Sequence, residues 1–75
     1  MFDKYIFSKR LKELRNRDNI MAKDLAVIIG VSKQAINLLE NATNYPHCTT
    51  LVAIADYFDV SLDYLVGRSD DPRRR

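Results

Sequence analysis

An all-α chain of five short helices is the fold that this sequence predicts, and three features predict it. Apolar residues recur at three- and four-residue spacing through most of the chain. No stretch alternates apolar and polar residues as a strand does. The helical stretches are divided by residues that stop or start helices: Asp18-Asn19, Gly30, Pro46, Asp59-Val60-Ser61 and Gly67. With 75 residues there is room for one hydrophobic core and not two. The domain is expected over residues 1–67, with residues 68–75 as a flexible tail lacking any apolar side chain.

The first helix is expected over about residues 4–17, where Phe7, Leu11 and Leu14 share one face and Lys and Arg occupy the other. Asp18 and Asn19 interrupt it, because their side chains favour local turn hydrogen bonds. The second runs from about Met21 to Ile29, with Met21, Leu25 and Ile29 spaced by four and Gly30 suited to the left-handed reversal behind it. Ser32 is an N-cap for a third helix reaching about Asn41, with Ile36 and Leu39 inward. Pro46 keeps residues 42–46 as a loop. Cys48, Leu51, Ile54, Ala55 and Phe58 then make one apolar stripe, which places Cys48 in the core. Ser61 caps a short fifth helix, with Leu62 and Leu65 inward and Gly67 at its end.

Composition removes several function classes. No apolar run approaches the roughly 20 residues that a membrane span requires. The opening MFDKYIFSKR mixes charged and apolar residues too closely for a secretory signal, so a mature cytoplasmic chain is expected. Cys48 and His47 are the single cysteine and the single histidine, which argues against a disulfide and a metal site and leaves little for a nucleophile–base pair, and a core this small is not expected to hold a cofactor. No enzyme is expected. The net charge of +2 hides an asymmetry. Residues 1–33 carry eight Lys and Arg against four Asp and Glu, a balance of +4. Residues 34–72 carry one basic residue against six acidic ones, a balance of −5, and Arg73, Arg74 and Arg75 restore +3. One face suits a polyanion and another turns from it, although solvated helix faces account for the charges equally well.

The informative stretch is Ala22–Asn41. Two short helices meet at Gly30, the small Ala26 lets the second approach the first, and Leu25, Ile36 and Leu39 pin the pair to the rest. One face of the third helix is then left projecting, as a helix that enters a DNA major groove must. Arg10-Leu11-Lys12-Glu13-Leu14-Arg15, Asp24-Leu25-Ala26, Ile29-Gly30-Val31-Ser32, Ile36, Leu39-Glu40-Asn41, Pro46 and Asp59-Val60-Ser61-Leu62-Asp63-Tyr64-Leu65 follow in order over roughly residues 6–66. In these residues the sequence resembles the Cro/C1-type (XRE-like) helix-turn-helix family of phage repressors and bacterial regulators. The resemblance implies a five-helix phage-repressor-like domain that binds double-stranded DNA as a homodimer, reads a palindromic operator and acts as a repressor rather than an activator.

The resemblance implies base contacts from Ser32, Lys33, Gln34, Asn37 and Leu38 on the third helix. Chemistry agrees: Lys33 can donate to guanine O6 and N7 or to a phosphate, and Gln34 and Asn37 can pair with adenine edges. Leu38 suits a thymine methyl group or a protein interface equally. Arg15 and Glu40 are implied as an ion pair that orients the third helix and leaves Arg15 close to a phosphate, against the alternative of two independent surface charges. Asn41, Thr43, Asn44 and Tyr45 sit where the family's loop meets the phosphate backbone, through side chains and backbone N–H groups. Tyr57, Leu62, Tyr64 and Val66 offer more apolar area than a minimal core uses and are the expected dimer interface.

Three departures from the family pattern stand out. Met21 and Ala22 replace a polar cap followed by Gln, Ala42 replaces the Gly after Glu40-Asn41, and Val27 and Ile28 make the second helix unusually apolar. A left-handed backbone at Ala42 costs roughly 1 kcal/mol. Met21, Ala22, Val27, Ile28 and Leu38 motivate a rival reading: a protein-interaction module on the same fold, such as an antitoxin or a regulator's partner, docking through Val27 and Ile28. Asp56, Asp59 and Asp63 read as a solvated acidic face turned from the duplex, and His47 as a cap or a phosphate neighbour. The terminal arginines suit a nonspecific DNA arm or inert solvated residues, with Asp70 and Asp71 favouring the latter.

Overall fold

Helix ends set the path of this chain. The computed structural model describes residues 2–74, and among them five helices and no strand are found: α1 Lys4–Arg17, α2 Ala22–Ile29, α3 Lys33–Glu40, α4 Cys48–Phe58 and α5 Leu62–Val66. Each helix ends in the same way. A residue with positive φ follows it (Asn19, Gly30, Ala42, Asp59 and Gly67), and the next amide donates back to a carbonyl five residues earlier. These bonds run from Ile20 to Arg15, Val31 to Ala26, Thr43 to Leu38, Val60 to Ala55 and Arg68 to Asp63, at 2.8–3.0 Å. Two of the five positions are glycine, and Asn19 and Asp59 have short polar side chains that tolerate the left-handed region. Ala42, at φ +57, has neither property.

Helix starts are less uniform. Asp3, Ser32 and Ser61 accept from first-turn amides, whereas Met21 and His47 make no side-chain cap hydrogen bond. The Asp3 carboxylate, which receives the amides of Tyr5 and Ile6, is a cap that apolar spacing does not signal.

The core joins all five helices. Phe7 and Leu11 of α1, Leu25 of α2, Ile36 of α3, Ile54 of α4 and Leu65 of α5 have no exposed surface. Ala26 is also buried, and its carbonyl receives both Gly30 and Val31, so the α2–α3 turn closes against it. α1 packs on α3 and α5. At the α1–α5 junction Gly67 is doubly constrained: its φ is +88, and an added Cβ would stand 3.1 Å from the Ile6 side chain.

Three expectations from apolar spacing are corrected. Cys48 is exposed, because the first turn of α4 extends beyond the core that its later turns face. Leu62 is 42% exposed while Leu65 is fully buried, since α5 begins at the edge of the core and enters it a turn later. Met21 is likewise exposed, so the four-residue spacing of α2 reaches one residue too far. The described part of the tail also lies on the domain: Arg10 donates to the Ser69 carbonyl, and the Ser61 amide to that of Pro72. Arg75 lies outside the described residues.

Candidate nucleic-acid interface

Lys33, Gln34, Asn37 and Leu38 are all exposed on α3, in two pairs four residues apart (Lys33 with Asn37, Gln34 with Leu38), and exposed Asn41 continues the line as the residue that ends the helix. They form the outward face of a helix whose other side buries Ile36, Leu39 and Glu40. Ser32 stands at the head of this face, but its oxygen accepts the Ala35 amide at 3.0 Å. Its hydroxyl proton remains available to donate, while its first duty is the cap.

α3 is held at its far end by α1. The Arg15 guanidinium meets the Glu40 carboxylate side by side, Nε to Oε2 at 2.6 Å and Nη2 to Oε1 at 3.0 Å. Its Nη1 donates to the Ile20 carbonyl at 3.1 Å, so one side chain joins α1, the α1–α2 turn and α3. The hydrogen bond to Glu40 raises the Arg15 pKa above its already high ordinary value, with burial working in the opposite direction. A second tie is the buried Ser8 hydroxyl, which donates to the Glu40 backbone carbonyl. Nothing in the helical spacing of Ser8 marks this contact, 32 residues away along the chain.

Asn41, Thr43, Asn44 and Tyr45 are exposed on the loop that follows. The amides of Asn41, Ala42 and Thr43 are spent on closing the end of α3, donating to Asn37, Leu39 and Leu38. At Asn41 and Thr43 an outside acceptor therefore meets side chains and not backbone N–H groups, which differs from the expectation that both kinds of donor serve there. Tyr45 is steadied from the start of the chain: the Phe2 ring meets its ring edge-on at 5.2 Å, and the Lys4 amine lies 5.6 Å from its centroid. Phe2 also touches Phe7, so the loop is connected to the core through an aromatic pair.

Two basic residues that sequence reasoning passed over belong beside this loop. Lys9 and Lys12, both exposed on α1, border an open concavity with Tyr5, Ser8, Glu40, Asn41 and Ala42. Their spacing with Tyr5 puts all three on one stripe of α1, a signal that needs the position of α3 to acquire meaning.

The remaining named residues fall elsewhere. On α2, Lys23, Asp24, Val27 and Ile28 face outward, and Val27 is 81% exposed. Tyr57 and Leu62 are exposed at the α4–α5 edge, with the Tyr57 ring resting against Phe58 at 4.9 Å. Val66 is buried and Tyr64 half-buried under Arg10, so these two belong to the monomer's own packing more than to an outer face. Among the described residues no three His, Cys, Asp or Glu side chains are grouped to hold a metal ion, and no helix is long and apolar enough to cross a membrane.

This arrangement, two short helices closed at Gly30 with the second one outward, is matched by a helix-turn-helix family model over residues 11–65. The chain belongs to the Cro/C1-type helix-turn-helix family. It is 34% identical over 67 residues to YobD, an HTH-type transcriptional regulator of Bacillus subtilis, covering 89% of this chain and 60% of YobD. The present chain thus spans about three fifths of that relative's length. Among solved structures, the transcriptional repressor LexA of Eubacterium rectale is 30% identical with a TM-score of 0.80, covering 84% of this chain and 67% of LexA. The P22 c2 repressor, solved in complex with a synthetic operator, is 26% identical with a TM-score of 0.80, covering 85% of this chain and 97% of the repressor chain. The all-α, five-helix architecture is that of phage-repressor DNA-binding domains.

Proposed function

We propose that this chain is a sequence-specific, cytoplasmic transcriptional regulator, acting as a repressor, which inserts α3 into the major groove of double-stranded DNA. The observation that carries this reading is the outward face of α3. It presents two amide side chains and an amine on a helix held by the Arg15–Glu40 pair and by Ser8. Gln34 and Asn37 have the donor–acceptor pairs that match an adenine edge, Lys33 suits guanine or a phosphate, and Leu38 suits a thymine methyl group. Ser32 donates its hydroxyl to a base edge at the head of the helix, and Arg15 donates to a phosphate at the other end of the site. Asn41, Thr43, Asn44 and Tyr45 do so from the loop, with Lys9 and Lys12 behind them. The P22 c2 repressor, of the same fold, is described as bound to a synthetic operator, which supports this use of the face.

One such domain covers few base pairs, so the functional unit is a homodimer that reads half-sites about 10 bp apart. Its interface is centred on Tyr57 and Leu62, with Tyr64 at its border. Sedimentation equilibrium with and without DNA tests this, and a monomer under both conditions rules it out.

The direct test of DNA reading is fluorescence anisotropy on DNA from around the protein's own gene, over a salt series, beside the Lys33→Ala/Gln34→Ala/Asn37→Ala variant. The wild type should prefer one fragment and weaken steeply with salt, while the variant loses the preference and keeps weak binding. Equal binding of every fragment by both proteins would remove the reading.

A second reading, a protein-interaction module of the antitoxin or regulator-partner kind, rests on one observation: Val27 and Ile28 stand exposed on α2. A Val27→Asp/Ile28→Asp variant that keeps full operator affinity while losing a protein partner would favour it.

A further inference from the structure

Arg10 has no part in the face just described. Its side chain is 14% exposed, and its guanidinium stacks on the Tyr64 ring at 4.1 Å. Nη1 donates to the carbonyls of Tyr64 and Ser69, and Nη2 to the Asp70 carboxylate at 2.9 Å. A shielded guanidinium that takes carbonyls from both α5 and the residues after it is a firm anchor, because leaving those donors unmet is costly. Beyond the anchor, the Ser61 amide donates to the Pro72 carbonyl at 3.0 Å, and Arg74 reaches Asp56 at 2.6 Å and Asp59 at 3.5 Å. Residues 68–74 therefore run as a strap from Arg10, past the start of α5, to the end of α4. With Val60, Ser61, Leu62 and Asp63, the strap bounds an open cleft of about 400 Å³.

The two ends of the strap are held unequally. Arg74 is 44% exposed and Asp59 86% exposed, and ion pairs of that kind contribute little and weaken with salt. The weak end rests on the outward stripe of α4, where Val52, Asp56 and Asp59 follow at helical spacing and all are exposed. It also adjoins the exposed Leu62. This is the edge to which the dimer reading assigns the second subunit, and residues 72–74 occupy part of it.

We propose that residues 68–74 form a releasable strap that competes with a second copy of this chain for the α4–α5 edge. The proposal rests on the dimer reading. Release leaves the Arg10 anchor in place, frees Asp56 and Asp59, and opens the flank of the already exposed Leu62 to the partner copy. The apparent dimerisation constant then carries a penalty set by the fraction of chains whose strap is open.

Two variants test this without touching the anchor: a chain ending at Asp71, and Arg74→Gln in the full chain, which removes the ion pairs without adding negative charge to the edge. Amide hydrogen exchange at Ser61 reports strap docking, and sedimentation equilibrium at low and high salt reports association. In both variants Ser61 should exchange faster, and the dimer should tighten by about three- to tenfold. High salt should narrow the gap to the unaltered chain. Unchanged Ser61 exchange in both variants overturns the docked strap. Faster exchange with an equal or weaker dimer overturns the competition. If every chain is monomeric, free and on the preferred DNA fragment, the dimer reading itself falls and takes the competition with it.

Discussion

Arg15 and Glu40, 25 residues apart in sequence, face each other through two parallel hydrogen bonds of 2.6 and 3.0 Å at the α1–α3 junction. Glu40 is only 7% exposed, so deleting its partner strands a shielded carboxylate. Arg15→Ala is expected to cost about 2–3 kcal/mol in urea denaturation, the partial exposure of the arginine keeping it below the fully buried case. The Arg15→Ala/Glu40→Ala double variant should cost less than the sum of the two singles by about 1–2 kcal/mol. Additive costs would show two independent charges.

Ala42 closes α3 with φ at +57, the conformation that its Cβ disfavours. Ala42→Gly should raise stability by about 1 kcal/mol, since relief of that strain exceeds the entropy that glycine adds to the unfolded chain. A thermal or urea melt checks it. A loss of stability would mean that the turn is not strained by alanine.

Lys9 and Lys12 border the same turn from α1. Each replaced by alanine should lower the slope of log affinity against log salt by about one, with the preferred DNA fragment unchanged. Loss of fragment preference instead would make them base readers and reverse the assignment to phosphates.

Cys48 is exposed at the head of α4. It should react with a thiol reagent in the folded protein at close to the rate of the denatured chain, and Cys48→Ser should change stability by less than about 0.5 kcal/mol. A protected thiol would return Cys48 to the core.

Val66 and Leu62, neighbours on α5, should separate folding from association. Val66 is buried, so Val66→Ala should cost about 1–2 kcal/mol of stability. Exposed Leu62 changed to Glu should leave stability nearly intact and weaken the dimer. Equal effects of both on stability would place Leu62 in the core after all.

The helices and the turn at Gly30 were legible in the sequence because their causes are local. Apolar residues at three- and four-residue spacing, the serine caps and the glycine reversals act within a few neighbours, and the outward face of α3 follows from which of its residues are apolar. Tertiary structure decided the rest, because it depends on where one helix stops covering another. The spacing that includes Cys48 and Leu62 continues past the edge of the core. The ties of Ser8 to Glu40, Phe2 to Tyr45 and Arg10 to residues 69 and 70 span more than 30 residues of chain and leave no periodic trace. The sequence by itself determined a five-helix domain with a projecting third helix. Only the packed chain determined what holds that helix, which lysines stand beside it, and that the acidic edge of α4 meets its counter-charge in the tail.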